Sequence, residues 1–168
     1  VQENGVFLAP AATFALTFTW IEEGARKRAT AEALRNHRDY PNNVVNNLQL
    51  GRLYMYRRNY VESERFFNMV IASSKENRRA HYYLTRMLLR QKRLADAELH
   101  VNRYLAFKLS NRERSNALML KCMIYYRRKD WDTAERLAQE AWKIGKLKRA
   151  KNRLAKISKA RVRDAKRK

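Results

Sequence analysis

Between Val44 and Asn111 the chain carries one pattern twice, 34 residues apart. Leu50-Gly51-x-x-Tyr54 followed by Tyr60-x-x-Ser63-x-x-x-Phe67 returns as Leu84-Thr85-x-x-Leu88 followed by Leu94-x-x-Ala97-x-x-x-Val101. A period of that length corresponds to one two-helix unit. Such a unit cannot bury both of its apolar faces alone and has to stack on its neighbours. Composition agrees: four glycines and two prolines in 168 residues leave little turn chemistry for a sheet protein, whereas Leu, Ala, Arg, Lys and Glu favour helices. The expected class is all-α.

The same register extends in both directions. Leu16-Thr17-x-x-Trp20 and Ala29 align one period before Leu50-Gly51-x-x-Tyr54 and Ser63, with Glu23-Gly24 between two helices (about Pro10 to Glu22 and Arg26 to Arg38) and Tyr40-Pro41-Asn42-Asn43 closing the unit. Turns are expected at Arg58-Asn59, Lys92-Arg93 and Lys129-Asp130. A short insertion, Arg112 to Arg114, shifts the phase before a fourth unit in which Cys122, Tyr125, Trp131, Ala134 and Ala138 take the places of Thr85, Leu88, Leu94, Ala97 and Val101. Gly145 sits where a helix C-terminal glycine would. Two columns of small residues result, Thr17, Gly51, Thr85 and Cys122 on the first helix and Ala29, Ser63, Ala97 and Ala134 on the second. Trp20, Tyr54, Leu88 and Tyr125 form a large column that fills the space they leave.

From Pro10 to Lys148 the chain resembles tetratricopeptide repeat proteins, whose 34-residue unit pairs Leu-Gly and an aromatic with a later Ala, an aromatic and Pro. Unit two matches at Leu50, Gly51, Tyr54, Tyr60 and Phe67, while Pro41 is the one closing proline and Lys121 stands where leucine is usual. The resemblance implies an α-solenoid of about four hairpins, 10–43, 44–77, 78–111 and 115–148, after a lead-in over 1–9 and before a basic capping helix or tail over 147–168. The run Val6 to Ile21 is too short for a membrane span and reads as a core helix. A chain that starts at Val1 rather than methionine is expected to be a fragment of something longer. No compartment is written in the sequence; a soluble, cytoplasmic setting is the default expectation.

Charge is the strongest compositional bias, with 38 Lys and Arg against 16 Asp and Glu, a formal net charge of +22. It favours acidic partners of any kind and says nothing about fold. Beyond Gly145 the cations crowd together, among them Lys148, Arg149, Lys151, Arg153, Lys156, Lys159, Arg161 and Arg163 against the single acid Asp164, while Leu147, Ala150, Leu154, Ile157 and Arg161 recur at helical steps. Two readings stand side by side. One is a cap that covers the last repeat and meets solvent or an acidic protein surface; the other is a contact with nucleic acid or an anionic membrane. No aromatic interrupts the segment, which argues against base stacking by it.

In the tetratricopeptide family the exposed positions of the first helices bind partners, which implies a groove lined here by Phe18, Arg52, Tyr56, Arg79, Tyr82, Arg86, Arg90, Met123, Tyr126 and Arg127. Arginine and tyrosine anchor interfaces well, so the expected partner is a protein supplying an acidic or aromatic, extended or helical segment. The family's carboxylate clamp for chaperone tails is absent: its positions hold Phe14, Phe18, Gln49, Arg79 and Tyr83 in one register and Leu48, Arg52, Tyr83, Asn116 and Leu120 in the other.

Chemistry is not expected. His37, His81 and His100 have no second ligand at metal spacing, Cys122 occupies a packing position, no glycine-rich phosphate loop exists, and neither a cofactor nor a metal is implied. The overall expectation is a protein-interaction scaffold and not an enzyme, of undefined oligomeric state, with polyanion binding through the basic end as the alternative.

Overall fold

The computed structural model describes residues 23–74 and 77–166, with side chains from residue 27. Among these residues it contains eight helices and no strand: α1 (Glu23–Asp39), α2 (Val44–Tyr56), α3 (Tyr60–Ser73), α4 (Arg78–Arg90), α5 (Leu94–Leu105), α6 (Asn111–Arg127), α7 (Trp131–Gly145) and α8 (Lys148–Ala165). None is long and apolar enough to cross a membrane. The expected first helix, with Phe14, Phe18 and Trp20, lies outside the described residues. The chain divides into two compact units, one ending at Ala80 and the other beginning at His81.

In the first unit the corner between α1 and α2 is built from side-chain amides. Asn43 caps α2 by accepting from the Asn46 N–H, and Asn46 in turn donates to the Ala33 carbonyl at 2.9 Å. Asn47 is fully buried, and its amide nitrogen donates to the Pro41 carbonyl at 2.7 Å. Its oxygen is then left to accept from His37 Nδ1 at 2.8 Å, so His37 is an interhelical bridge with its proton on Nδ1. Beside it Phe66 receives the His37 ring edge-on and stacks with Tyr54 at 5.6 Å, closing a core with Ala33 and Leu50.

The α2–α3 pair shows what the small columns do. Ser63 Oγ donates to the Gly51 carbonyl at 2.7 Å, so the two backbones nearly touch. A Cβ on Gly51 would stand 2.5 Å from the Phe67 ring. Thr85, Cys122, Ala97 and Ala134, the counterparts in later hairpins, are fully buried, as Ser63 is. Burial also pushes the Cys122 thiol up to about 11, which keeps it protonated and unreactive at neutral pH.

Three turns join first to second helices and are built alike. Arg58, Lys92 and Lys129 adopt left-handed φ near +60°, and the next N–H, of Asn59, Arg93 or Asp130, reaches back 3.0 Å to the carbonyl of Tyr54, Leu88 or Tyr125. That closure usually uses glycine or asparagine; here basic residues occupy it, and Asn59 and Asp130 cap the helix that follows.

The second unit stacks α6 on α5, α7 on α6 and α8 on α7. Its core joins Leu118, Cys122, Ala134, Ala138 and Ala141 to Ala150 and Ile157 of α8, with Leu154 packed against them. The basic helix α8 therefore covers α7 with its apolar stripe, as a cap would. Glu98 of α5 accepts both Tyr125 Oη at 2.5 Å and Arg128 at 2.6 Å, tying α5 to α6. These bonds hold the Glu98 carboxyl below the usual range, the Tyr125 hydroxyl contributing most.

Three local expectations are corrected. Glu23 and Gly24 lie inside α1 rather than between helices. Arg112 to Arg114, expected as an insertion ahead of a unit that begins at Ser115, form the first turn of a lengthened α6, because Ser110 and Glu113 make a reciprocal capping box that starts the helix at Asn111. Gly145 is helical; the left-handed cap is Lys146, and Gly145 is small because a Cβ there would lie 2.5 Å from Ser115 Cβ, whose hydroxyl bonds the Ala141 carbonyl.

His81 and His100 face each other across the α4–α5 hairpin, Nδ1 to Nδ1 at 3.0 Å. One ring must donate and the other accept, which two imidazolium ions cannot do. Burial, then His100 and Arg103, hold His81 down to about 4.

Three expected outcomes follow from these contacts. Gly51→Ala should cost about 1–3 kcal/mol through the clash with Phe67, whereas Lys92→Gly should gain up to about 1 kcal/mol by relieving left-handed backbone; paired urea melts measure both. The unfolded chain binds a proton at His81 near pH 6.5 and the folded chain near 4, so the contribution of His81 to stability should fall as pH drops through that window and be constant above it. Thermal melts across the window should show this slope in the wild type and a shallower one in His81→Phe.

Candidate functional site

The first helices of the hairpins present residues of very different availability. On α2, Arg52 is half-buried and donates to Gln49 Oε1 at 2.9 Å, while Tyr56 is 44% exposed. Arg79 is exposed at the start of α4. Farther along α4, Tyr82, Arg86 and Arg90 recur every fourth residue and so share one face. Tyr82 is half-buried against Tyr83 and Tyr104, the Arg86 guanidinium lies 5.6 Å over its ring, and Arg90 is exposed.

On α6 the expected lining is used differently. Arg127 donates to the carbonyl of Leu89 and so ties α6 to α4. Met123 is half-buried. Tyr126 carries the Arg153 guanidinium of α8 at 5.4 Å from its ring and meets the Trp131 ring edge-on at 5.3 Å. It belongs with the cap. Phe18 lies outside the described residues.

Around Tyr126 the second unit has an open pocket of about 360 Å³. Tyr126 and Trp131 supply aromatic wall, and Lys156, Lys159, Ala160 and Arg163 line it from one face of α8. Lys129 and Asp164 complete it and are bonded to each other at 2.7 Å. The Trp131 indole N–H donates to the other oxygen of Asp164 at 3.3 Å, which fixes that ring at the mouth of α7.

The eight cations expected to act together at the basic end are thus in three situations. Arg153 lies over Tyr126, and Arg161 pairs with Asp132 at 2.9 Å and approaches Glu135 at 3.6 Å, so both help hold α8 on its neighbours. Lys148, Arg149 and Lys151 are exposed along the first turn. Lys156, Lys159 and Arg163 are exposed at the pocket and have no carboxylate within ion-pair distance among the described residues.

Lys129, Trp131 and Asp164 were not singled out in the sequence as site residues, because each reads locally as something else: a turn, a packing aromatic and a lone acid. The legible part of the signal was the spacing of Lys156, Lys159, Ala160 and Arg163, which puts all four on one face of a helix. The basic helix carries no aromatic of its own; the two at the pocket come from α6 and α7.

Compared with solved structures, the fold is similar to that of MamA. The crystal structure of MamA protein superposes with a TM-score of 0.73 and 17% sequence identity, over 93% of this chain and 86% of that one. The RS-1 MamA ArsTM double mutant gives 0.69 and 15%, over 92% and 96% respectively. At such identities the likeness is one of fold, an all-α helical repeat of the tetratricopeptide type. No protein-family model and no curated protein sequence matches the chain.

Removing the anchor of this pocket gives a direct check. Asp164→Ala should loosen the end of α8, with a loss of about 1 kcal/mol or less given the exposure of the Lys129 pair. Hydrogen exchange should rise at residues 159–165 and stay unchanged in α2 and α3.

Proposed function

We propose that this chain is a protein-interaction scaffold that receives an acidic or aromatic segment of a partner protein on the faces of its first helices. The observation that carries the reading is the α4 stripe, where Arg86 is laid over Tyr82 next to the exposed Arg90. A guanidinium stacked on a tyrosine is already oriented and partly desolvated, so it can offer its remaining donors to a carboxylate with little further loss of rotamer freedom. Such pre-positioned Arg and Tyr side chains are the kind that dominate interface energetics. Tyr56 and Arg52 on α2 and the exposed Arg79 extend the same chemistry to other parts of the chain.

Helical repeats of this type suit the role, since stacked hairpins keep successive first helices available while the second helices and the cap carry the packing. The fold likeness supports a scaffold in general terms and leaves the partner to the side chains. The alternative, binding of nucleic acid or anionic membrane through α8, draws on Lys148, Arg149, Lys151, Lys156, Lys159 and Arg163, with Arg153 and Arg161 engaged within the fold.

The test is charge reversal on the stripe. Arg86→Glu with Arg90→Glu should remove acidic partners from an affinity capture followed by quantitative mass spectrometry, by about tenfold or more for two lost charge contacts. Far-UV circular dichroism should be unchanged. Capture at wild-type levels by a folded variant sinks this assignment.

A further inference from the structure

The pocket under the cap combines features that neither the α4 stripe nor a plain basic surface has. Its walls are aromatic and aliphatic, from Tyr126, Trp131 and Ala160, while its rim is cationic. Of the cations there, Lys129 is neutralised by Asp164. Lys156, Lys159 and Arg163 are not matched by any acid among the described residues, although Arg161, on the same helix, has two. A scarce supply of carboxylates has gone to the face that packs, and the charge at the pocket is left over.

We infer that this pocket is a binding site for an acidic peptide segment carrying one aromatic or large apolar side chain, that side chain entering between Tyr126, Trp131 and Ala160 and its flanking carboxylates meeting Lys156, Lys159 and Arg163. The site goes beyond the stripe on α4 and does not depend on it. Charge complementarity sets the sign of the partner, and the apolar walls require an apolar group that a purely ionic contact would leave unused.

Two other polyanions fit less well. A single-stranded nucleic acid wants open ring faces for its bases. Here Arg153 occupies one face of Tyr126, and Trp131 stands at 76° to it with its N–H held by Asp164. An anionic membrane wants apolar side chains around the cations to enter the headgroup layer. Among the described residues of α8, Val162 is the one exposed large hydrophobic.

The experiment uses the full chain and a fluorescein-labelled acidic peptide with one central phenylalanine between runs of glutamate, read by anisotropy. Two variants probe it: Lys156→Glu with Lys159→Glu, at exposed positions, and Ala160→Phe, which fills the pocket without removing a charge. Binding is expected, weakening steeply as salt rises, and each variant should weaken it by about tenfold. Replacing the peptide's phenylalanine by alanine should weaken it similarly in the wild type and have no effect in Ala160→Phe. Equal affinity for the two peptides, or an unchanged affinity in Ala160→Phe, overturns the site. So does tighter, equally variant-sensitive binding of oligouridylate or of phosphatidylserine vesicles, which would assign the pocket to nucleic acid or to lipid. Failure here leaves the α4 stripe and its capture experiment untouched, because none of these variants alters that face.

Discussion

Close approach of paired helices is the condition on which this structure depends. Where Ser63 bonds the Gly51 carbonyl and Gly51 lies against Phe67, one extra methyl has no room. Ser115 and Gly145 repeat the arrangement near the other end of a later hairpin. Interiors are packed to the density of organic crystals, so a small column on one helix compels a large one beside it, and Tyr54, Leu88 and Tyr125 fill that role. Tight pairing also dictates the turns. The chain must reverse within three residues, and the left-handed conformation at Arg58, Lys92 and Lys129 achieves it despite the absence of glycine.

Polar side chains buried inside the hairpins find partners in backbone carbonyls and in one another. Asn47 meets both a carbonyl and a histidine, Thr85 returns its hydroxyl to the His81 carbonyl, and Ser115 reaches Ala141. Each satisfies a group that burial would otherwise penalise by a few kcal/mol. The His81–His100 pair belongs to the same set, but at the cost of a proton that His81 no longer accepts near neutral pH.

A chain with so few acids has to use them economically, and their positions explain where the positive charge ends up. Glu98 joins α5 to α6, Asp164 holds Lys129 and Trp131, and Asp132 with Glu135 receives Arg161. All of these lie at helix junctions. What remains uncompensated is gathered on surfaces, as exposed Arg90 beside the stacked Arg86 on α4 and as the cations over the cap pocket on α8. Excess charge and structural need are in this way separated between faces of the same helix.

Much of this was legible in the residues themselves. Period, small and large columns, turn positions and the capping stripe Ala150-Leu154-Ile157 are local or periodic properties, and helix geometry maps spacing directly onto faces. Tertiary structure alone decided which cations are free. Arg153 and Lys156 look alike in a run of basic residues, yet one lies over Tyr126 and the other faces an open pocket, because their neighbours come from helices more than twenty residues away. It also decided that Gly145 is small for Ser115 rather than for a turn, and that Trp131 and Lys129 share a site with Asp164. Spacing along a helix is set by covalent geometry, which the sequence carries; proximity between helices is set by packing, which exists only once they have met.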